Sequence, residues 1–235
     1  MSASWRPAAD RLVSGLRGVF GERLQSVAAY GTHVDGHDEE PLSCLALVSS
    51  ITTADLEACA RMSHGWQRDR IATPLILPEE EFRRSLDAFP LEYGEILRAH
   101  TVLFGANPFA NVAIDPADLR RACETQVKSH LVHLREGFIE AGGTPRSVGD
   151  LVTASAPAFA ALLRNIARLQ GSELSDRAHA TREGARLANL TESVVTDILS
   201  LERPSSVKAT DPAKLFPEYL AAVEQLARFV DTWRG

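Results

Sequence analysis

Apolar residues follow two different periods along this chain, and the period changes near residue 115. Upstream of that point, short runs with strand character alternate with stretches of helical spacing. Downstream, nearly every apolar residue recurs at the three-to-four-residue spacing of an amphipathic helix. The pattern therefore predicts a mixed α/β domain over residues 1–114 and an all-helical domain over residues 115–235, with short connections that favour an antiparallel bundle.

The first domain is expected to place a polar loop between two strands near its start. Gly31-Thr32 ends the first of these strands, and residues 33–41 form the loop. The expected elements are, in chain order, a helix over 7–22, strands over 26–30 and 42–48, a helix from a Thr52 or Thr53 cap to Arg68, a strand over 73–77, a helix over 79–86 and one extended segment over 89–105.

Clear start and stop signals divide the second domain into helices. Asp-Pro pairs that begin at Asp115 and Asp211 are typical of an N-cap followed by a first-turn proline. The first of these helices is expected to end at Gly142-Gly143, and Ser147-x-x-Asp150 resembles a capping box for the next one. Pro157 is expected to kink or split that second helix.

The hairpin of residues 26–48 resembles the active-site hairpin of the nucleotidyltransferase superfamily. Gly31-Thr32 resembles the Gly-Ser that ends the first strand of that hairpin, and the order of elements agrees along most of the chain. Segments 87–97 and 102–109 also resemble stretches of these proteins. The resemblance implies a small mixed sheet flanked by helices, followed by the helical bundle. In active members, the Gly-Ser turn touches nucleotide phosphates and three carboxylates hold two Mg²⁺ ions.

The metal-binding Asp-x-Asp of that family has no counterpart here. Alignment on the apolar end of the second strand puts Ser43 and Leu45 at the two carboxylate positions. Side chains two apart on a strand share a face, so Asp-x-Asp aims two carboxylates at one metal site. Ser43 offers one neutral hydroxyl and Leu45 offers no ligand. The sequence therefore predicts a degenerate nucleotidyltransferase, with Gly31, Thr32 and Ser43 as candidate nucleotide-binding residues.

Two alternatives stay open beside this interpretation. In the first, the protein is an active Mg²⁺-dependent transferase acting on a small molecule or a protein, with Asp35 or Asp38 as relocated ligands beside Glu92. Glu92 and Glu95 are the candidates for the third acidic position, and on the expected strand they face opposite sides. In the second, the helical domain forms a homodimer or binds a protein partner.

Other residues that could bind a metal or act as a nucleophile are interpreted as having structural roles. His33 and His37 lie in the polar loop and suit Zn²⁺ better than Mg²⁺, but two loop histidines make a poor site. His130 and His133 are one helical turn apart and are expected to be surface or partly buried, hydrogen-bonded side chains. Cys44 points away from Ser43 and Leu45 on its strand and is expected to be a core residue.

Composition narrows the classes of function further. The hydrophobic content is 45%, and the formal net charge of −6 argues against a general nucleic-acid binder. No apolar run approaches the roughly 18 residues of a membrane span, and the N-terminal residues lack the apolar core of a signal peptide. Three cysteines without Cys-x-x-Cys spacing indicate reduced thiols. We expect a cytoplasmic protein with a nucleotide as its candidate ligand and with Mg²⁺ only in the active alternative.

Overall fold

The structure is a computed structural model that describes residues 5–31, 41–172, 177–201 and 211–233. Contacts between Cα atoms divide the chain into two compact units, Met1–Asp115 and Pro116–Gly235. Whether these units are independent folding domains stays a prediction. Among the described residues, no helix is long and apolar enough to cross a membrane.

The first unit is a mixed sheet with helices on both of its faces. Its elements are α1 (Arg6–Phe20), β1 (Leu24–Tyr30), β2 (Ser43–Val48), α2 (Thr53–Arg68), β3 (Leu75–Pro78), α3 (Glu79–Arg84), α4 (Pro90–Arg98) and β4 (His100–Gly105). The strand order is β3-β2-β1-β4. β1 is antiparallel to β2 and β4, whereas β3 is parallel to β2. The predicted fold class, a small mixed sheet flanked by helices and followed by a helical region, is confirmed.

Alternating side chains of the central strands build two separate apolar cores. One core packs the sheet against α1 and α2, and it contains Val27, Cys44 and Trp66. The other packs the opposite face against α3, α4 and the segment after β4, and it contains Leu45 and Phe82. Cys44 is 1% exposed, and burial raises the pKa of its thiol to about 12, as expected of a core residue rather than a nucleophile.

Helix α2 begins where its capping chemistry predicts. The Thr52 hydroxyl accepts a hydrogen bond from the Asp55 backbone N–H, and the Asp55 carboxylate accepts one from the Thr52 backbone N–H. This reciprocal capping box satisfies two of the backbone donors that the first turn leaves unpaired. Arg23 adds two hydrogen bonds of 2.7 Å to the same carboxylate, and they hold the pKa of Asp55 well below its usual range.

The expected extended segment over residues 89–105 is wrong in its first half. Residues 90–98 form helix α4, and only His100–Gly105 is a strand. Pro90 occupies the first turn, and Tyr93 and Ile96 are buried one turn apart, which is helical rather than alternating spacing. Aromatic residues gave the segment a strand-like composition and Gly94 lowered its helix propensity, but the helical spacing overrides both effects.

The second unit is entirely helical in its described part. Its helices are α5 (Pro116–Glu140), α6 (Pro145–Leu169), α7 (Arg177–Leu187), α8 (Glu192–Ser200) and α9 (Pro212–Thr232). Helices α5, α6 and α9 pack on one another, and α7 packs mainly on α6. As predicted, the Asp211 side chain caps α9 by accepting a hydrogen bond from the Ala213 backbone N–H.

The expected start of α6 and the expected split at Pro157 are wrong, whereas a kink at Pro157 stays a prediction. The helix begins three residues earlier than predicted, because Thr144 is the N-cap and its hydroxyl accepts from the Ser147 backbone N–H. Pro145 then takes the first helical position, where its missing N–H costs no hydrogen bond. Ser147 and Asp150 are thus inside the helix and form no capping box. Pro157 does not split the helix, which continues to Leu169.

Candidate functional site

The glycine turn at the end of β1 is held by Ala99, the residue between α4 and β4. Gly31 has a φ of 84°, a backbone conformation that residues with a Cβ rarely adopt. Its N–H donates a hydrogen bond to the Ala99 carbonyl across 3.3 Å. A Cβ at Gly31 would meet no atom of the described residues within 4 Å, so among these residues the backbone conformation, and not crowding, favours glycine here. Thr32, the second residue of the predicted turn, lies outside the described residues.

Three polar side chains form a row across the sheet at this turn. Tyr30 is opposite Ser43 on β2 and opposite His100 on β4. Directly opposed residues of antiparallel strands share a face, with Cβ atoms about 5 Å apart. Burial, with a smaller contribution from Cys44, raises the pKa of Tyr30. The row therefore presents a phenol, a hydroxyl and an imidazole, and it contains no carboxylate.

Leu45 lies on the same face as Ser43 but is buried in the apolar core. It is 1% exposed and belongs to the cluster that contains Phe82, Tyr93 and Ile96, which α3 and α4 contribute. The Phe82 and Tyr93 rings meet edge to face with centroids 5.0 Å apart. Hydrocarbon therefore surrounds the position at which the resemblance would put a second carboxylate.

The two glutamates expected near the site lie on α4 rather than on a strand. The expectation that they face opposite sides is therefore wrong, since residues three apart on a helix lie close to the same side. Glu92 is exposed, whereas Glu95 is partly exposed and forms an ion pair with Arg98 at 3.6 Å. The α4 residues that enter the sheet core are Tyr93 and Ile96. A role in catalysis for Glu92 or Glu95 stays a prediction.

The described residues do not fit a magnesium site of the two-metal kind. Across residues 5–31, 41–172, 177–201 and 211–233, no group of three His, Cys, Asp or Glu side chains is placed to hold an ion. Mg²⁺ binding in such sites depends on converging carboxylate oxygens. The loop residues His33, Asp35, His37 and Asp38 lie outside these ranges.

A directed hydrogen-bond network beside the glycine turn was missed by the sequence analysis. His100 Nδ1 lies 3.1 Å from the Ile96 carbonyl and 3.2 Å from the Leu97 carbonyl, so Nδ1 carries the proton and donates. Asn107 Oδ1 accepts from the Phe109 backbone N–H, which turns its amide nitrogen toward His100 Nε2 at 3.4 Å. The network caps α4 and fixes the imidazole tautomer. Had a helix been predicted over residues 90–98, the position of His100 just after it would have indicated a C-terminal capping residue.

The two histidines of α5 have different surroundings, and neither belongs to a metal site among the described residues. His130 Nε2 lies 2.8 Å from the Tyr219 hydroxyl, and burial lowers the pKa of His130 to about 4. His133 is exposed and lies 3.0 Å from a Glu136 carboxylate oxygen.

The mixed sheet, the glycine turn after β1 and the helical unit that follows together define a nucleotidyltransferase-like fold. No protein-family model matches the chain, and no curated protein sequence matches it. Among solved structures, the chain is similar to spectinomycin adenyltransferase AAD(9) from Enterococcus faecialis, determined with ATP and spectinomycin. The TM-score is 0.61, and the match covers 95% of this chain and 98% of that one. At 12% sequence identity, the similarity concerns the fold alone.

Proposed function

We propose that this protein is a nucleotidyltransferase-fold protein that has lost two-metal nucleotidyl transfer and retains a nucleotide-binding role at the glycine turn. The observation that carries the proposal is the burial of Leu45, which is 1% exposed in an apolar core. A carboxylate at that position would need either water or a cation, and the packed side chains of α3 and α4 provide neither.

The other polar residues near the turn support binding rather than metal chemistry. Ser43 and Tyr30 offer hydrogen bonds to a ligand, whereas both ring nitrogens of His100 already face the Ile96 and Leu97 carbonyls and the Asn107 amide. None of the three residues supplies the negative charge that Mg²⁺ requires. Among the described residues, none lies within 4 Å of a Cβ built at Gly31, which supports the approach of a phosphate oxygen to the backbone. Together these groups suit a metal-independent contact with one phosphate.

The identity of the ligand class rests on the structural neighbour. AAD(9) was solved with ATP and spectinomycin, and its fold covers nearly the whole of this chain. An adenine nucleotide is therefore the first ligand to test. Glu92, exposed on α4, remains the residue on which an active alternative would depend.

Calorimetric titration with ATP, in magnesium and then in EDTA, tests the proposal. We expect the two dissociation constants to agree within about threefold, because no protein carboxylates bridge the metal to the nucleotide. Ser43→Ala should weaken ATP binding, whereas Ser50→Ala, an exposed serine beyond the end of β2, should not. A dissociation constant that rises about tenfold or more in EDTA would contradict the proposal.

An interaction role for the helical unit is the second candidate, and one observation favours it. Val132 and Ile139 lie two turns apart on the same side of α5 and are 50% and 78% exposed. Sedimentation velocity on the full chain tests self-association through this stripe. We expect Ile139→Lys to shift any dimer toward monomer, and a wild-type protein that sediments as a monomer at about 100 μM would exclude a homodimer of useful affinity.

A further inference from the structure

A cleft between α7 and α8 has the size and lining of a small-molecule site. Its volume is about 430 Å³. Ligand sites commonly fall within roughly 300–1,000 Å³ and combine an apolar lining with a few polar groups. Ala185, Leu190 and Val195 contribute buried apolar surface to this cleft, while Arg182 and Glu192 are exposed at its rim.

The α7 wall of the cleft is held firmly against the rest of the helical unit. A Cβ at Gly184 would lie 1.8 Å from the Leu163 carbonyl oxygen, so α7 can approach α6 this closely only with glycine there. Gln225 of α9 donates through its side-chain amide to the carbonyls of Ala188 and Asn189, at 3.1 and 2.5 Å. These contacts fix the wall before any ligand binds, which lowers the entropic cost of binding.

The turn that joins the two walls is also well defined. Asn189 has φ 53, the left-handed conformation that commonly ends a helix, and its N–H donates to the Arg186 carbonyl. The Leu190 N–H donates to the Ala185 carbonyl across 2.9 Å. This is the double hydrogen bond of a Schellman motif, and it turns Leu190 inward as part of the apolar lining.

The charged groups at the rim are not equivalent. Arg186 makes two hydrogen bonds, of 2.8 and 2.7 Å, to the Glu183 carboxylate, so this pair is close to neutral. Arg182 and Glu192 form no ion pair in the part of the chain that the structure describes, with each other or with a third residue. The α7 wall therefore offers one uncompensated guanidinium, and the α8 wall offers one uncompensated carboxylate.

We propose that this cleft binds a small organic acid that carries a hydroxyl or amino group beside a short apolar body. Arg182 would bind the acid through its planar set of donors, which matches carboxylate geometry. Leu190 and Val195 would cover the apolar body, and Glu192 would accept a hydrogen bond from the hydroxyl or amino group. The site lies within the helical unit and does not depend on the proposed role of the glycine turn.

Chemical-shift titration of the ¹⁵N-labelled full chain tests the site with three probes: 3-phenyllactate, 3-phenylpropionate and 3-phenylpropanol. We expect 3-phenyllactate to shift the amides of residues 185–195 saturably, and the alcohol, which lacks the acid, to bind at least about fivefold more weakly. Arg182→Gln should weaken 3-phenyllactate at least about fivefold, which corresponds to about 1 kcal/mol. Arg146→Gln, an exposed arginine on α6, is the matched control and should leave the affinity unchanged.

A second variant tests the contact with the ligand's hydroxyl group separately from the contact with its acid group. Glu192→Gln should weaken 3-phenyllactate and leave 3-phenylpropionate, which has no hydroxyl, unaffected. The proposal is overturned if 3-phenyllactate gives no saturable shift at about 20 mM, if Arg182→Gln binds it as well as the wild type does, or if the alcohol binds as tightly as the acid. Because the readout is confined to α7 and α8, none of these outcomes bears on ATP binding at the glycine turn.

Discussion

Replacing Leu45 with aspartate tests whether this strand position faces core or cleft. Leu45 is 1% exposed and packs with Phe82 and Tyr93. Loss of a buried leucine side chain costs about 2–5 kcal/mol. The introduced carboxyl group must in addition stay protonated or remain buried without a partner, and each unit by which its pKa rises costs about 1.4 kcal/mol. Leu45→Asp should therefore lower the free energy of unfolding by about 5 kcal/mol or more, enough to unfold a typical domain.

Urea denaturation followed by circular dichroism measures this effect. Leu45→Met is the matched control and should cost less than about 1.5 kcal/mol, because it nearly conserves volume and polarity. Ser43→Asp, at the partly exposed end of the same strand face, should stay within about 1 kcal/mol of the wild type. The reasoning is refuted if Leu45→Asp folds with wild-type stability, since that result would place Leu45 beside water and make room for a metal ligand.

Three further predictions concern stability. The pKa of His130 is about 4 in the folded protein and roughly 6.5 in the unfolded chain, so the unfolded chain binds the proton more readily. The free energy of unfolding should therefore fall by up to about 3 kcal/mol as the pH drops from 6.5 to 4. Urea titrations across this range should show a smaller loss for His130→Gln, and an equal loss would contradict the assignment. Thr52→Ala should cost about 1 kcal/mol in urea unfolding through the lost α2 cap, whereas Thr53→Ala, just inside the helix, should cost little. Gly184→Ala should lower the melting temperature by forcing α7 away from α6. Gly65→Ala is the control and should not lower it, because a Cβ there would meet nothing within 4 Å. Similar effects of the two changes would argue against the close packing of α7 on α6.

Local chemistry made part of the fold predictable from the sequence. The cap at Thr52 and the proline-started helix after Asp211 depend on side chains a few residues apart, and both are confirmed. The two central strands were predictable because Cys44 and Leu45 lie in an apolar run long enough for a buried strand. The nucleotidyltransferase-like fold was expected because these elements, in their order, resemble those of that superfamily.

Features that depend on distant packing were not predictable in this way. The helix over residues 90–98 contains Gly94, a poor helix former, and its formation depends on Tyr93 and Ile96 packing against the sheet. Once that helix was missed, the capping role of His100 could not be foreseen. The cleft of the helical unit likewise depends on Gly184 meeting α6, a contact that spans separate helices.

An assay of metal-dependent nucleotidyl transfer tests the central claim most directly. The full chain would be incubated with α-labelled ATP, Mg²⁺ or Mn²⁺, and spectinomycin or a pool of small hydroxylated acceptors, and labelled products would be separated from ATP. The account predicts no labelled product above a protein-free blank, because the proposed alignment puts Ser43 and the buried Leu45 at the positions of the two carboxylates. Labelled product that requires the metal and disappears in Glu92→Ala would contradict it.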